Sequence, residues 1–414
     1  MHKVLVYLLL SFLPFACQVP SAELPDEQWP LREVASPAST QSGEPNLFVS
    51  EEGRVYLSWI DALENDEYAL RFSVWEGEKW ATPQTIAQDS GWFVNWADFP
   101  SVVASGDHMA AHWLTKSGSG TFEYDVTIAL SDNMGADWST PFVLHQDSLQ
   151  AEHGFVSMLP YQGKTFAVWL DGRNTKPKKK QGHEHHHEEG AMSLRTAIFD
   201  SEGKVEKREE LDGRICDCCQ TDAISIGEDI YVVYRDRSQQ EIRDIYITRY
   251  HQGRWSQPRP VHQDQWQIKG CPVNGPAICG RGSNIAVAWF TAARDTSKVQ
   301  LAISTDEADS FIKPIRVDHG NPLGRVDVLM LNTEHLVLSW MERTDNGAEI
   351  RLAVFDKQHQ LVADKRIAYT GYARANGFPI MEMDDEKIFF TWTQASEDKT
   401  QVKTAMLDIE EVIK

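Results

Sequence analysis

In the stretch CDCCQTD, residues 216 to 222, Cys216, Cys218 and Cys219 put three thiols into four positions, and Cys271 in KGCPVNGP supplies a fourth. Thiolates are nucleophiles and soft ligands, so the set allows three chemistries. A disulfide from Cys271 to Cys218 or Cys219 is the expectation for a chain in an oxidising compartment. A metal site built on Cys216, Cys218, Cys219 and Cys271 is the second, because clustered thiolates favour copper(I) or zinc. A reactive thiol or redox pair is the third. If residues 216 to 219 were extended, Cys216 and Cys218 would face one way and Cys219 the other. The chain has six cysteines. With Cys17 in the leader an odd number remains, so at least one is unpaired. Cys279 lies inside an apolar strand pattern and reads as packing.

A second concentration of ligating groups is KPKKKQGHEHHHEEG, in an insertion at residues 176 to 190, with His183, His185, His186 and His187 beside acidic residues. Such a cluster can bind zinc, copper or nickel, and the same composition also suits a solvated loop.

These groups must be positioned by an internal repeat. A strand pattern ending in an aromatic residue recurs seven times, as RVYLSW, HMAAHW, KTFAVW, DIYVVY, NIAVAW, HLVLSW and KIFFTW. The aromatics are Trp59, Trp113, Trp169, Tyr234, Trp289, Trp340 and Trp392, at near-regular spacing with one longer interval where the insertion sits. Each unit has a short apolar strand before this one and another after it, and most add a fourth. Four short strands per unit, rich in β-branched and aromatic residues and punctuated by turn signals, describe a propeller blade. The fold class is therefore all-β, a seven-bladed β-propeller. The seventh unit lacks its fourth strand, and PLREVAS at residues 30 to 36 can supply it and close the ring.

In a propeller, the segment leading into each innermost strand lines the mouth of the central channel. Aligning the seven units puts Glu44, Asp98, His153, Gln220, Asn274, Arg325 and Asn376 there. A ring of polar groups converging on one axis is a candidate ligand site. The cysteines join it: Cys216, Cys218 and Cys219 precede the inner strand of blade four, and Cys271 precedes that of blade five. His153, one blade earlier, can add a nitrogen ligand to a metal.

The ends and the composition set bounds. A cationic start, an apolar run from Val4 to Ala16 and then small residues read as an export signal over residues 1 to 17. Two processing routes stay open: lipidation of Cys17, giving a periplasmic or outer-membrane lipoprotein of a bacterium, or simple cleavage near Ala22 and secretion. Residues 23 to 414 then form a single propeller domain. No other segment is apolar enough to span a bilayer as a helix, leaving a lipid anchor as the expected membrane link. The formal charge of -21 argues against nucleic acid and anionic membrane surfaces as partners. It leaves a small molecule or a glycan, held by local arginines; the composition carries no information on oligomeric state.

SDNMGADW at residues 131 to 138 and STDEADSF at 304 to 311 resemble the Asp-box, Ser-x-Asp-x-Gly-x-x-Trp, of sialidases and related BNR-repeat proteins. Both lie between the third and fourth strands of their units, as in that family. The first has Asn133 for Asp; the second has Ala308 for Gly and Phe311 for Trp. The resemblance implies a propeller, six-bladed in known sialidases and thus an alternative to seven. It also implies exo-sialidase-type glycoside hydrolysis, with three arginines on the substrate carboxylate and a tyrosine nucleophile beside an acid. Here GEPNLFVS opens the first blade without the Arg-Ile-Pro stretch that supplies the first arginine, so no residue transfers by motif. By position, Arg325 and Arg374 can grip an anion, Asp98 can be the acid and Tyr372 the nucleophile. Arg173 in LDGR and Arg235 in YRDRS, with Arg237, project onto the same face, where they can equally pair with Asp171, Asp236 and Asp244.

Overall fold

A computed structural model of the protein describes residues 28–176, 190–397 and 399–414. The export signal, Cys17 and the four histidines of the insertion lie outside the described residues. Among the described residues no helix is long and apolar enough to cross a membrane.

Seven antiparallel sheets form the blades, each built on a path of four strands. The innermost strands are Ser42–Val49, Ser101–Ser105, His153–Tyr161, Asp222–Ile226, Ala277–Arg281, Pro322–Met330 and Ile380–Met383. Blade four carries one extra short piece, Arg259–Pro260, paired to its third strand. The six-bladed alternative does not hold. In blade seven the outermost strand comes from the other end of the chain: Arg32–Val34 pairs antiparallel with Thr400–Asp408, with Arg32 opposite Met406 and Val34 opposite Thr404. Trp29 then seats against blade six, its indole N–H donating to Leu352 O at 3.3 Å.

The repeated apolar runs are explained by stacking. Second strands such as Val55–Ala62 and His335–Thr344 are buried along nearly their whole length. A blade lies between two neighbours, so both of its faces face protein and alternation disappears from the sequence. Seven hydrophobic clusters fill the seven gaps between consecutive blades. Burying a tryptophan there requires a partner for its N–H, and an acid two residues on supplies it in several blades. Trp59 donates to Asp61 (2.9 Å), Trp169 to Asp171 (2.9 Å) and Trp340 to Glu342 (2.8 Å).

Both Asp-box turns fold as such. Ser131 Oγ accepts from Gly135 N at 2.9 Å and Asn133 Oδ1 accepts from Asp137 N at 2.9 Å. Ser304 and Asp306 repeat the pattern on Ala308 N and Ser310 N. Asn133 serves because the turn needs a side-chain oxygen acceptor, which an amide also offers.

Candidate functional site

The outer strand of blade three, Val205–Ile215, delivers the chain to the channel mouth, where residues 216 to 221 lead into the inner strand of blade four. The segment is not extended. A bend at Asp217 and Cys218 turns all three sulfurs to one point, against the expectation that Cys219 would face away. Cys216 Sγ lies 3.5 Å from Cys219 Sγ and 4.0 Å from Cys218 Sγ. All three side chains are buried, whereas Cys271 is exposed and its thiol meets that of Cys218. All five described cysteines carry free thiols.

Arg243, two residues before blade four's third strand, donates through Nη1 to Cys216 Sγ at 3.1 Å. Burial alone would push the Cys216 thiol up. Thiol hydrogen bonds from Cys218 and Cys219, with the Arg243 and Arg235 guanidiniums, outweigh it and hold Cys216 well below the usual thiol range. Burial pushes Cys219 up to about 12. Contacts with Cys216, Cys219 and Cys271 push Cys218 up, and the Cys218 thiol holds Cys271 down. The cluster thus surrenders its first proton at Cys216. A salt-bridge frame fixes the guanidinium: Arg243 meets Glu241 at 2.9 Å, and Arg237 bridges Glu241 and Asp217, each at 2.9 Å.

Arg235 ties the second half of the site to the first. It is 2% exposed and donates to Asn274 O at 3.1 and 2.9 Å, to Arg243 O at 2.7 Å and to Phe290 O at 2.8 Å. These bonds pin the segment carrying Cys271 against the segment carrying Arg243 and occupy the guanidinium that an anionic ligand would need. Arg173 pairs with Asp171 through two 2.7 Å bonds. Asp244 instead accepts from Gln265 N and Trp266 N, both at 3.0 Å.

The polar mouth positions act largely as staples between blades. Asp98 Oδ1 accepts from Phe155 N (2.7 Å), Gln220 Oε1 from Gly275 N (3.0 Å) and Asn274 Oδ1 from Arg325 N (2.8 Å). Arg325, packed against Trp96 and Phe378, donates to Gly377 O at 2.7 Å and Ala373 O at 3.3 Å. Burial lowers it to about 10. Arg374 and Tyr372 sit exposed on the rim, Arg374 6.0 Å from the Trp96 ring. His153 faces away from the thiols: Nδ1 meets Tyr124 O at 3.2 Å and Nε2 meets Asp147 at 3.0 Å.

Several residues escape sequence reasoning. Tyr124 places its hydroxyl 2.9 Å from Glu152 and 3.4 Å from Asp98. A phenol has one proton to give, so one carboxyl must keep its own for both contacts to bond. Burial pushes Asp98 up to about 7 and Glu152 up to about 8, with the charges of Asp217 and Cys271 adding to the latter. Below the mouth the channel widens to a cavity of about 500 Å³. Asp222, Asp327 and Glu382 project from its wall, raised by burial to about 7, 8 and 8. No motif marks Arg243, Glu152 or Tyr124; the repeat alignment alone could have placed Glu152 beside His153 at the mouth.

The fold is a seven-bladed β-propeller with thiols gathered at the mouth of its channel. No family model matches the chain, and no curated protein matches it. Among solved structures it is similar to the polysaccharide lyase Uly1, at 8% identity over 94% of both chains with a TM-score of 0.58. It is also similar to the GH93 α-L-arabinofuranosidase of Fusarium graminearum in complex with arabinobiose, at 11% identity over 93% and 99% of the chains with a TM-score of 0.50. The Hadza microbial sialidase Hz136 matches at 12% identity over 75% of this chain, with a TM-score of 0.45, and this chain spans 65% of that one. At such identities the likeness is one of fold.

Proposed function

We propose that the protein binds one soft metal ion, copper(I) or zinc, at the channel mouth through Cys216, Cys218 and Cys219, with Cys271 as the solvent-side ligand. The observation that carries this is the gathering of three sulfurs within 4.8 Å of one another. Sulfurs around a tetrahedral ion at about 2.3 Å stand about 3.8 Å apart, and the separations of 3.5 and 4.0 Å bracket that value. Cys216, held low by the Cys218 and Cys219 thiols and by Arg243, is the first ligand to engage. The same thiols in an oxidising compartment can instead close a Cys218–Cys271 disulfide, so the export reading and lipidation at Cys17 belong to this proposal. Mass spectrometry of the mature N-terminus tests that part.

The test of the metal site is anaerobic titration of untagged, reduced protein with copper(I) or zinc against a competing chelator. One ion should bind, and Cys216→Ser should abolish high-affinity binding. Equal binding by the variant removes the proposal.

A second reading, an anionic glycan lying across the same rim, rests on Arg374 being exposed 6.0 Å from the Trp96 ring, which stacks on Phe378, with Tyr372 exposed two residues before it. Similarity to a propeller described with bound arabinobiose, a neutral disaccharide, agrees with a glycan at this rim and says nothing of its charge. Turnover of a fluorogenic sialoside tests its hydrolase form, and a glycan array its binding form.

A further inference from the structure

Away from the thiols, the connector between blades two and three folds a second group of ligating side chains. His145 follows the short outer strand of blade two, His153 opens the inner strand of blade three, and Asp125 stands on the third strand of blade two. The two imidazoles stack, centroids 3.6 Å apart and planes 9° apart. Asp125 Oδ1 lies 3.3 Å from His145 Nε2 and 3.7 Å from His153 Nδ1. The histidine side chains are 2% and 0% exposed.

Both ring nitrogens of His145 and Asp125 Oδ1 are buried without a hydrogen-bond partner. Asp147 Oδ1 comes within 3.4 Å of His145 Nδ1 but misses hydrogen-bond geometry. Leaving such polar groups unmet inside a protein is costly, and here His145 Nε2 and Asp125 Oδ1 face one another unbonded across 3.3 Å. Asp147 and Asp171, on the far side, are already served by Arg173 at 3.0 and 2.7 Å; there only His145 Nδ1 is unmet, while on the Asp125 side a nitrogen and an oxygen are unmet together.

We infer that Asp125, His145 and His153 form a second metal site, for a borderline divalent transition ion such as zinc. Two imidazoles and one carboxylate are a donor set that zinc takes with one position open, and calcium or magnesium would want oxygens throughout. Ligands about 2.0–2.1 Å from a tetrahedral ion stand about 3.3 Å apart, close to the two separations from Asp125. An ion cannot lie in both ring planes while the rings stack, so binding turns one out of the stack, and His153 Nδ1 must give up the proton it directs at Tyr124 O, 3.2 Å away. His145, close to Asp125 and Asp147 but hydrogen-bonded to neither, has fewer bonds to lose by turning than His153. Its ligands are separate from the cysteines, so the site stands or falls independently of the thiolate site.

Cobalt(II) tests it, because thiolate ligands give intense charge-transfer bands that nitrogen and oxygen ligands do not. The parent is the full chain with His183, His185, His186 and His187 changed to Ala, so that the insertion contributes nothing. It should bind one cobalt ion that adds no charge-transfer intensity, whether or not a thiolate-bound ion accompanies it. His145→Ala should weaken that ion more than the 10–100-fold typical of losing an outer-shell partner, while any charge-transfer band persists. Should His145→Ala not fold, Asp125→Asn, at a side chain 22% exposed, should do the same. Zinc should raise the parent's unfolding temperature, and Asp125→Asn should abolish the part of that rise that survives Cys216→Ser. Undiminished cobalt binding in either folded variant, or no ion outside the thiolates in the parent, overturns the inference.

Discussion

Arg243 Nη1 stands 3.1 Å from Cys216 Sγ, and both residues are buried. This contact gives one of four neighbouring thiols a fixed positive charge. A thiolate in an apolar pocket is otherwise disfavoured by desolvation. Replacing Arg243 by Met removes the charge and keeps most of the volume. The Cys216 thiol should rise, so its alkylation should reach half-maximum at a higher pH than in the parent protein. Iodoacetamide kinetics against pH, followed at Cys216 by peptide mass spectrometry, reads the shift. An unmoved profile would show that Arg243 is not needed to activate Cys216.

Arg325 and Arg374 should separate cleanly. Both come from mouth positions in the repeat, but Arg325 is 6% exposed and donates to two carbonyls, whereas Arg374 is exposed. Arg325→Ala leaves Gly377 O and Ala373 O without their donor and should cost about 2–3 kcal/mol of stability, as lost charged hydrogen bonds do. Arg374→Ala should leave unfolding unchanged. If an anionic glycan binds, that variant should weaken it about tenfold, more than a screened surface pair would account for. Urea unfolding and glycan binding on both variants check this, and a stability loss at Arg374 matching that at Arg325 would contradict it.

The propeller was legible because stacking writes itself into sequence. Blades buried on both faces give continuous apolar runs, and each recurring aromatic ends one. The missing fourth strand of blade seven pointed to the pairing of Arg32–Val34. The site was legible less fully. The thiols were visible, but the bend at Asp217 that gathers them comes from tertiary contacts: Arg237 holds the Asp217 carboxylate and Arg235 O accepts from Cys216 N. His145 lies in a connector with no period, so nothing in its neighbourhood predicts a stack on His153. The polar mouth positions looked like ligand groups because their polarity was visible, while the backbone N–H groups they satisfy were not.

The channel acids should make stability depend on pH. Burial raises Asp222, Asp327 and Glu382 to about 7, 8 and 8, and each carboxylate discourages the next. Unfolded, these groups titrate near 4. Between roughly pH 4 and 8 the folded chain therefore holds more protons than the unfolded chain, and this contribution to stability falls as pH rises. It is fully present below pH 4 and lost as pH passes through the folded values. The double variant Asp327→Asn, Glu382→Gln should lose at least about 1 kcal/mol less than the parent between pH 5 and 8, since one pKa unit corresponds to 1.36 kcal/mol. Urea midpoints at the two pH values measure it; parallel losses in parent and variant would mean that these carboxyls titrate normally.

Cys271 should report which chemistry the thiols perform. It is exposed while Cys216, Cys218 and Cys219 are buried, and its thiol meets Cys218. In reduced, metal-free protein it should be alkylated first and the other three slowly. Under the metal reading, zinc or copper(I) should protect Cys271 as well, and a chelator should restore its reactivity without reductant. Under the disulfide reading, protein isolated without reductant should hide Cys271 and one partner even when denatured with chelator present, and reductant alone should expose them. The partner should be Cys218, because a disulfide needs Cβ atoms about 3.5–4.5 Å apart and Cys218 is the thiol that Cys271 meets. A Cys271 that reacts equally fast in metal-loaded, metal-free and unreduced protein would exclude it from both chemistries. The site would then shrink to the three buried thiols and Arg243.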